Sequence, residues 1–349
     1  YRSYGGTRYP TVGKLNASGD ADKTFGSGKT PGCYSFGLSG GSKLPISPHS
    51  AIVSDSKGGY VVAMTRLEGE SYTTLAISRL DATGTLDMSF GVDGFLNIDA
   101  GVSTAAHQIA MQPDGSLVVS GSLHFDPWQV DVLLLKVAAD GHSFNAEIAD
   151  LSLHPTYSRE IPMALAVRAN GDIVVAGRAW NGSAGAGGGA FLLRYNQNLD
   201  QLKPVSGQFP SADFDAKRQA FKFCDGCLLQ RVTGLATTPD GGFLIVGDYQ
   251  TDTDADQAIF AIRLKDDWTL DPAFADSGAV SLDFSALGGT DPSAYQSAVV
   301  VACDGRPIIA GRHGKNGATS RVGVTRLANA TMPCQSPRPA PRIVPPGRG

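Results

Sequence analysis

The stretch "MQPDGSLVVSG" at residues 111–121 carries the main architectural signal of this chain, because close variants of it recur. The variants are "SDSKGGYVVAM" (54–64), "VRANGDIVVAG" (167–177), "TTPDGGFLIVG" (237–247) and "VACDGRPIIAG" (301–311). Each reads as an apolar strand, a turn and a second apolar strand. Asp-Gly, Asn-Gly and Gly-Gly between such runs indicate hairpins with two-residue turns, in which both central residues have positive φ.

The repeats have a near-regular period. The expected turn glycines are separated by 56, 56, 70 and 64 residues, and they are Gly59, Gly115, Gly171, Gly241 and Gly305. Spacing of this kind is typical of a repeat architecture. A third apolar strand follows each hairpin and carries one basic residue, which we expect to be solvated or salt-bridged. These residues are Arg79, Lys136, Arg194, Arg263 and Arg326, with Lys14 as an N-terminal version.

A fourth short strand follows, as in "TLDMSFGVDGFLNID" (85–99). Four antiparallel strands per repeat predict an all-β protein, a β-propeller of four-stranded antiparallel blades. Stacked blades bury apolar side chains that one sheet alone would expose, which explains the repetition. Five complete hairpins favour five blades, and the extra third-strand match in "TVGKLNASG" (11–19) leaves six as the alternative.

The domain organisation follows from this pattern. Residues 1–334 are predicted to form a single β-propeller domain, in which 11–38 supply closing strands and an N-terminal strand completes the C-terminal blade. Residues 199–230 are an insertion at one rim, and the glycine-rich 181–190 is a second added loop. Residues 335–349 contain five prolines and form a Pro-rich tail.

The stretches "MQPDGSLVVSG" and "RLDATGTLDMSFG" (79–91) resemble the repeats of the bacterial delta-sixty repeat proteins, with weaker matches from residue 11 to about 331. The units of that family read approximately Gln-x-Asp-Gly-x-Ile-Val-Val-Ala-Gly, and later Leu-Asp-x-Ser-Phe-Gly. The resemblance implies the propeller fold and leaves the activity open. The segments 181–190 and 199–230 depart from the family pattern.

Charge, hydropathy and the N-terminal sequence indicate which partners and which cellular location to expect. The net charge of −4 does not indicate a nucleic-acid partner. No apolar run reaches the ~20 residues that a membrane span needs. The chain begins "YRSYGG" without an initiator Met, which is typical of a processed product. We therefore expect a bacterial protein that is secreted, periplasmic or at the cell surface.

Five cysteines suggest disulfides in such a protein. Cys224 and Cys227 in "FCDGC" are predicted to close a small loop, with redox chemistry, a half metal site or reduced thiols as alternatives. Cys33 and Cys334 are predicted to pair and to lock the ring where the chain ends meet. A Cys303–Cys334 pair is the alternative; otherwise Cys303 is a buried free thiol.

Candidate ligand-binding residues follow the second strand of each hairpin, where the repeats differ from one another although the scaffold agrees. In a propeller these positions converge on one face, where a polar site can form. The candidates are Arg66, His124, Arg178, Trp180, Asp248, Tyr249, Arg312 and His313. Mutual pairing among rim residues is the alternative interpretation.

Function is less constrained than fold. The leading hypothesis is a non-catalytic module that binds a protein or glycan, or an accessory subunit of a larger assembly. The alternative is a small-molecule or polysaccharide hydrolase or lyase that uses the axial funnel, with Asp248 or His124 as general base and Arg312 as an anion clamp. No GxSxG, HExxH or nucleotide-binding glycine loop occurs.

No cofactor is indicated by these motifs, and calcium is the one ion that the sequence suggests. Asp252, Asp254 and Asp256 in "TDTDADQ" alternate as at the start of a calcium loop. The usual Gly is Gln257, and Arg263 stands where an acidic residue would complete the loop. A solvated acidic hairpin loop is therefore the alternative, and a calcium-dependent adhesin is the corresponding third hypothesis for function.

Overall fold

The computed structural model shows an all-β chain, and no residue that it describes is helical. The described residues are 2–4, 7–26, 31–36, 50–68, 72–126, 129–151, 158–181, 189–202, 220–221, 229–250, 257–275, 278–282, 294–302, 305–313 and 321–327. The insertion at 199–230 is mostly outside these ranges, as are most of the glycine-rich loop and the whole Pro-rich tail.

The N-terminal segment forms two small antiparallel pairs. β1 (Arg2–Tyr4) pairs with β2 (Thr7–Tyr9), and β3 (Thr11–Gly13) pairs with β4 (Cys33–Ser35). Phe25 and Phe36 of this segment pack on one face of the next sheet in a cluster that includes Met64.

Four antiparallel groups of four strands and a fifth group of three strands follow, and we call each group a sheet, although the second and third are joined into one eight-stranded sheet. The first sheet contains β5 (Ser50–Ser54), β6 (Tyr60–Glu68), β7 (Tyr72–Leu80) and β8 (Phe95–Ile98). The second contains β9 (Ser103–Met111), β10 (Leu117–His124), β11 (Gln129–Val137) and β12 (Phe144–Ala149). The third contains β13 (Ser158–Val167), β14 (Ile173–Asn181), β15 (Gly189–Tyr195) and β16 (Ala220–Phe221).

The fourth sheet contains β17 (Leu229–Thr237), β18 (Phe243–Gln250), β19 (Gln257–Leu264) and β20 (Ala279–Leu282). The fifth contains β21 (Ala294–Val301), β22 (Pro307–His313) and β23 (Arg321–Arg326). Strands neighbour one another in chain order within each sheet, so the predicted four-stranded antiparallel unit is confirmed. The second and third sheets are also joined by a short parallel pairing of β11 with β13.

The hairpin turns differ from the sequence prediction. Gly115 has a φ of 84°, but Asp114 is not among the residues with positive φ. The Gly115 N–H donates to the Gln112 carbonyl, and the Gln112 N–H donates to the Ser116 carbonyl. The loop therefore contains three residues and ends in a glycine with a left-handed backbone conformation. The prediction of a two-residue turn was wrong. In the first hairpin the positive φ lies at Gly58 and not at Gly59.

Each apolar cluster lies between two consecutive sheets. Val119 belongs to the cluster shared with the first sheet, whereas its neighbour Val118 belongs to the cluster shared with the third. The alternation of side chains along a strand thus buries both faces of an inner sheet. The third and fourth sheets share another cluster, and the fourth and fifth share a smaller one.

The basic residues of the third strands are salt-bridged where the structure describes their partners. Arg79 Nε lies 2.7 Å from Asp87 Oδ2, and Arg263 contacts both Asp240 and Asp271. Lys14 pairs with Asp22 and Lys136 with Asp114. Arg194 instead stacks on the Trp268 ring at 3.8 Å. The expected salt bridges are therefore present for Lys14, Arg79, Lys136 and Arg263 but not for Arg194.

The last glycine of the eleven-residue repeat has a steric role. At Gly121 a Cβ would stand 2.5 Å from the carbonyl oxygen of Ala105, which belongs to the neighbouring first strand. The register of β9 and β10 shifts at this point, and similar irregularities occur in the third, fourth and fifth sheets. Such bulges redirect the side chains that follow them at the strand end.

The first strands of successive sheets, from β5 through β9, β13 and β17 to β21, lie side by side. Within the described part of the chain, no N-terminal strand pairs with β23, and the fifth sheet has no comparable packing on the first. The number of blades and the closure of a ring therefore stay predictions.

Candidate functional site

The predicted site residues lie at the ends of the second strands, as the hairpin register required. Their strands are β6, β10, β14, β18 and β22. For Trp180, Arg312 and His313 the structure describes only the backbone, which pairs with Arg159, Tyr295 and Ala294 respectively. The other five side chains separate into two groups.

Arg66 and Tyr249 are bound to the fourth strands of their own sheets. The Arg66 guanidinium donates to Asn97 Oδ1 at 2.6 Å, and its carbon lies 5.9 Å from the Phe95 ring centroid. The Tyr249 hydroxyl is 2.9 Å from Ser281 Oγ. Since Asn97 and Ser281 belong to outer strands, these contacts draw the two side chains away from the first strands.

Asp248 is the most buried of the five predicted residues whose side chains the structure describes. It lies opposite Arg231 in the register of β17 and β18, and its Oδ1 accepts the Arg231 Nε–H at 2.6 Å. A carboxylate held in this way by a guanidinium forms a strong, charge-assisted contact. Asp248 therefore fixes the orientation of Arg231.

Arg178 lies in the same charged environment. Its pKa is lowered by burial first and then by the positive charges of Arg231 and Arg159, while Asp248 opposes the shift. We call Arg159, Arg178 and Arg231 the arginine cluster. All three are partly buried, and Asp248 is the carboxylate that acts on Arg178. Arg159, Arg178, Arg231 and Asp248 therefore share one charged environment at this face.

His124 is half-buried and belongs to a hydrogen-bonded chain. Ser122 Oγ lies 2.9 Å from His124 Nε2 and 3.0 Å from His107 Nε2. Burial lowers the pKa of His124, and the charge of Arg159 lowers it further. The imidazole is therefore neutral near pH 7. A neutral His beside a guanidinium can accept a proton.

A separate acidic group lies where β11, β12 and β13 meet. Asp131, Asp150 and Glu160 each place a carboxylate oxygen within 4.8 Å of the other two. Asp131 and Glu160 are buried, whereas Asp150 is exposed. This trio can hold a cation, and the sequence pattern did not reveal it.

The arginine cluster was only partly found from sequence. Arg178 was a candidate, but Arg159 and Arg231 stand near the starts of first strands, outside the positions that the repeat pattern singled out. The signal was available, because in an antiparallel hairpin the start of one strand lies opposite the end of the other. Register counted outward from the turn would have paired Arg231 with Asp248.

Several predicted features lie outside the described residues. They concern the calcium candidates Asp252, Asp254 and Asp256 and the cysteines Cys224, Cys227, Cys303 and Cys334. Cys33, the one cysteine that the structure describes, has a free thiol there. The predicted disulfides and the calcium loop therefore stay predictions. Among the described residues, none forms a helix long and apolar enough to cross a membrane.

Comparison with known proteins found no matching family model and no matching curated protein. Solved structures with a similar fold include an alpha-L-arabinanase of Penicillium chrysogenum in complex with arabinobiose. It is 15% identical, with a TM-score of 0.42, over 81% of this chain and 94% of that one.

An endo-arabinase of Bacteroides thetaiotaomicron is 12% identical, with a TM-score of 0.40, over 80% of this chain and 93% of that one. The polysaccharide lyase Uly1 is also 12% identical, with a TM-score of 0.43, over 82% of this chain and 70% of that one. TM-scores below 0.5 define neither a family nor an activity for this chain.

The comparison corrects our leading functional hypothesis. The arabinanase, the endo-arabinase and the lyase are by name enzymes that act on glycans, so the leading hypothesis of a non-catalytic binding module or accessory subunit is corrected. None of these three names refers to a protein partner, so the expectation of a protein partner is not supported. The alternative hypothesis, a hydrolase or lyase, is the one that agrees with these names. The choice of substrate and reaction below depends on the geometry of the arginine cluster.

Proposed function

We propose that this protein is an enzyme that cleaves an acidic polysaccharide by β-elimination. The single observation that carries the proposal is the arginine cluster beside a neutral His124. A lyase of this kind must neutralise a sugar carboxylate and remove the proton on the adjacent carbon. The face described above has a group suited to each task.

The arginine cluster supports recognition of a carboxylate. Guanidinium groups bind carboxylates through paired N–H donors in a planar arrangement. Arg231 is oriented by Asp248, so its remaining donors are held in place before a substrate arrives. Positive charge fixed near the site of a developing enolate also lowers the barrier to proton removal.

His124 supports the proton transfer. In the tautomer where Ser122 donates to His107, His124 donates Nε2–H to Ser122 and keeps a lone pair on Nδ1. Nδ1 takes the proton from the carbon next to the carboxylate. The C–H pair forms a carbon–carbon double bond, and the glycosidic C–O bond breaks with its pair on the leaving oxygen. That oxygen takes a proton from water, and His124 returns its proton to solvent.

This assignment differs from the sequence hypothesis that gave Asp248 an equal claim as base. Asp248 is fully buried and bound to Arg231, so it is a positioning residue. His124 is partly exposed and its pKa is lowered, which suits a base near neutral pH.

The test is an assay with uronic-acid polysaccharides and their carboxyl-reduced counterparts. Elimination creates a double bond conjugated to the carboxylate, so ultraviolet absorbance should rise with the acidic substrates alone. His124→Gln should reduce the rate by about 10²-fold or more. Arg178→Gln should raise KM and lower kcat, because both binding and charge stabilisation are lost.

Lys265→Gln is a matched control, because Lys265 is an exposed cation paired with Asp267 near a turn of the fourth sheet. It should leave the rate unchanged. New reducing ends without new absorbance would mean hydrolysis and would contradict elimination. No cleavage of any substrate in the panel would remove the proposal.

We also propose that the sheets close into a five-bladed ring of the delta-sixty type, and that the protein is exported. The fifth sheet supports closure, because it exposes apolar side chains on the face away from the fourth. Val300, Val322 and Val324 are 56%, 77% and 60% exposed. An uncovered apolar face of this kind is unusual on a soluble domain. The N-terminal segment is the part of the chain that we propose to cover it.

A further inference from the structure

The acidic trio of Asp131, Asp150 and Glu160 owes its position to an exchange of strands at one edge of β11. β12 pairs with β11 as far as Ala149 opposite Val132. β13 then pairs with β11 in parallel at Gln129 and Val130. If the pairing of β11 with β12 is extended by one residue, Asp131 lies opposite Asp150. If the pairing of β11 with β13 is extended by one residue, Asp131 lies beside Glu160. Both neighbouring strands therefore place a carboxylate next to Asp131.

This arrangement concentrates negative charge in a partly dehydrated place. One oxygen from each residue lies within 4.8 Å of the others, and Asp131 is 4% exposed while Glu160 has no exposed surface. Like charges at this distance repel strongly when they are shielded from water.

Asp131 supplies a second observation. Its Oδ1 is buried and, within the part of the chain that the structure describes, accepts no hydrogen bond. An acceptor buried without a donor costs about 1–3 kcal/mol. The Asp131 side chain also has one hydrogen-bond partner, the side chain of Gln129. Oδ1 is therefore the Asp131 oxygen that a bound cation would satisfy.

We propose that Asp131, Asp150 and Glu160 bind a calcium ion that links the second and third sheets. Calcium takes oxygen ligands at about 2.3–2.6 Å, so two ligands of one ion can stand up to about 5 Å apart. It accepts irregular geometry and completes its shell with water, which the exposed Asp150 side admits. Magnesium requires shorter distances and a regular octahedron.

The proposal does not depend on the proposed enzymatic function, and it concerns residues other than the predicted loop at Asp252, Asp254 and Asp256. Its consequence is mechanical. Asp131 and Glu160 each stand one residue beyond the β11–β13 pairing that joins the two sheets, so the ion would hold this junction together. Glu160 also follows Arg159 of the arginine cluster directly in the chain.

The experiment uses the whole chain, first treated with a chelator and then titrated with CaCl₂ or MgCl₂ during thermal unfolding. Calcium should raise the Tm by about 2–4 °C in a saturable manner, because the ion binds the folded state. Asp131→Asn should abolish that shift and leave the Tm without calcium unchanged or higher, since one buried charge is removed.

Asp140→Asn is the matched control, because Asp140 is an exposed carboxylate in the turn after β11. It should keep the full shift. If Asp131→Asn does not fold, Glu160→Gln serves as the second variant and should also lose the shift. The proposal is overturned if calcium does not raise the Tm, if magnesium alone raises it, or if both variants retain the shift in full.

Discussion

The ring of Phe90 lies directly over Gly141, so that a Cβ at residue 141 would stand 2.6 Å from the nearest ring carbon. Phe90 belongs to the "SFG" of the first repeat, and Gly141 lies in the turn after the third strand of the next. The Gly91 N–H also donates to the Asp140 carbonyl. The first repeat thus inserts a phenylalanine under the second, and Phe25 of the N-terminal segment makes the same contact with Gly84.

This contact predicts that Gly141→Ala destabilises the protein by about 2–4 kcal/mol, because left-handed strain and steric overlap with Phe90 add. Gly115→Ala is the control. Gly115 has a similar φ, yet nothing lies within 4 Å of the position that a Cβ would take there. It should cost about 1–2 kcal/mol. Urea denaturation would measure both, and equal losses would contradict the role of Phe90.

Asp248→Asn should lower the free energy of unfolding by about 2–4 kcal/mol, because Arg231 would keep its charge near two other arginines without its carboxylate. The comparison is Asp87→Asn. Asp87 contacts Arg79 at almost the same distance, but its side chain is 27% exposed against 1% for Asp248. Chemical denaturation should show the smaller loss for Asp87, and the reverse order would contradict the importance of burial.

His124 predicts a pH dependence of stability. Its pKa in the folded protein is lowered below the ordinary value of 6.5. As the pH falls below about 6.5, the unfolded chain therefore binds the proton first, and the folded state loses stability until the folded pKa is passed. His124→Gln should flatten this part of the profile.

His142→Gln is the control for that experiment, since His142 is an exposed turn residue. Unfolding free energies measured at several pH values between about 5 and 7.5 would compare the two variants with the parent chain. An unchanged slope in His124→Gln would contradict the burial of a neutral imidazole.

Val322→Asp tests the closure of the ring. If the N-terminal segment covers this face, a buried charge should cost about 2 kcal/mol or more. Ile148→Asp on β12 is the control, because Ile148 is a half-exposed apolar strand residue that should change stability by about 0.5 kcal/mol or less. Equal, small effects in thermal and urea unfolding would show that the fifth sheet stays open.

The amino-acid sequence by itself determined the repeating unit. Apolar alternation around Asp-Gly and Asn-Gly indicated the hairpins, and the period indicated that sheets stack on one another. It also predicted that the basic residue of each third strand is solvated or salt-bridged, as Arg79 is with Asp87. These features are local, since they depend on residues within one repeat. The predicted turn type was wrong because Asp-Gly and Asn-Gly occur both in two-residue turns and in three-residue turns that end in a left-handed glycine.

The tertiary structure alone decided which polar residues meet. Arg66 and Tyr249 turned toward outer strands, whereas Arg159 and Arg231 joined Arg178. Asp131 and Glu160 are brought together by a parallel contact between strands of different sheets. No pattern within a repeat reveals such a contact, because it depends on how far one sheet is displaced against the next. That displacement is set by the packing of whole faces.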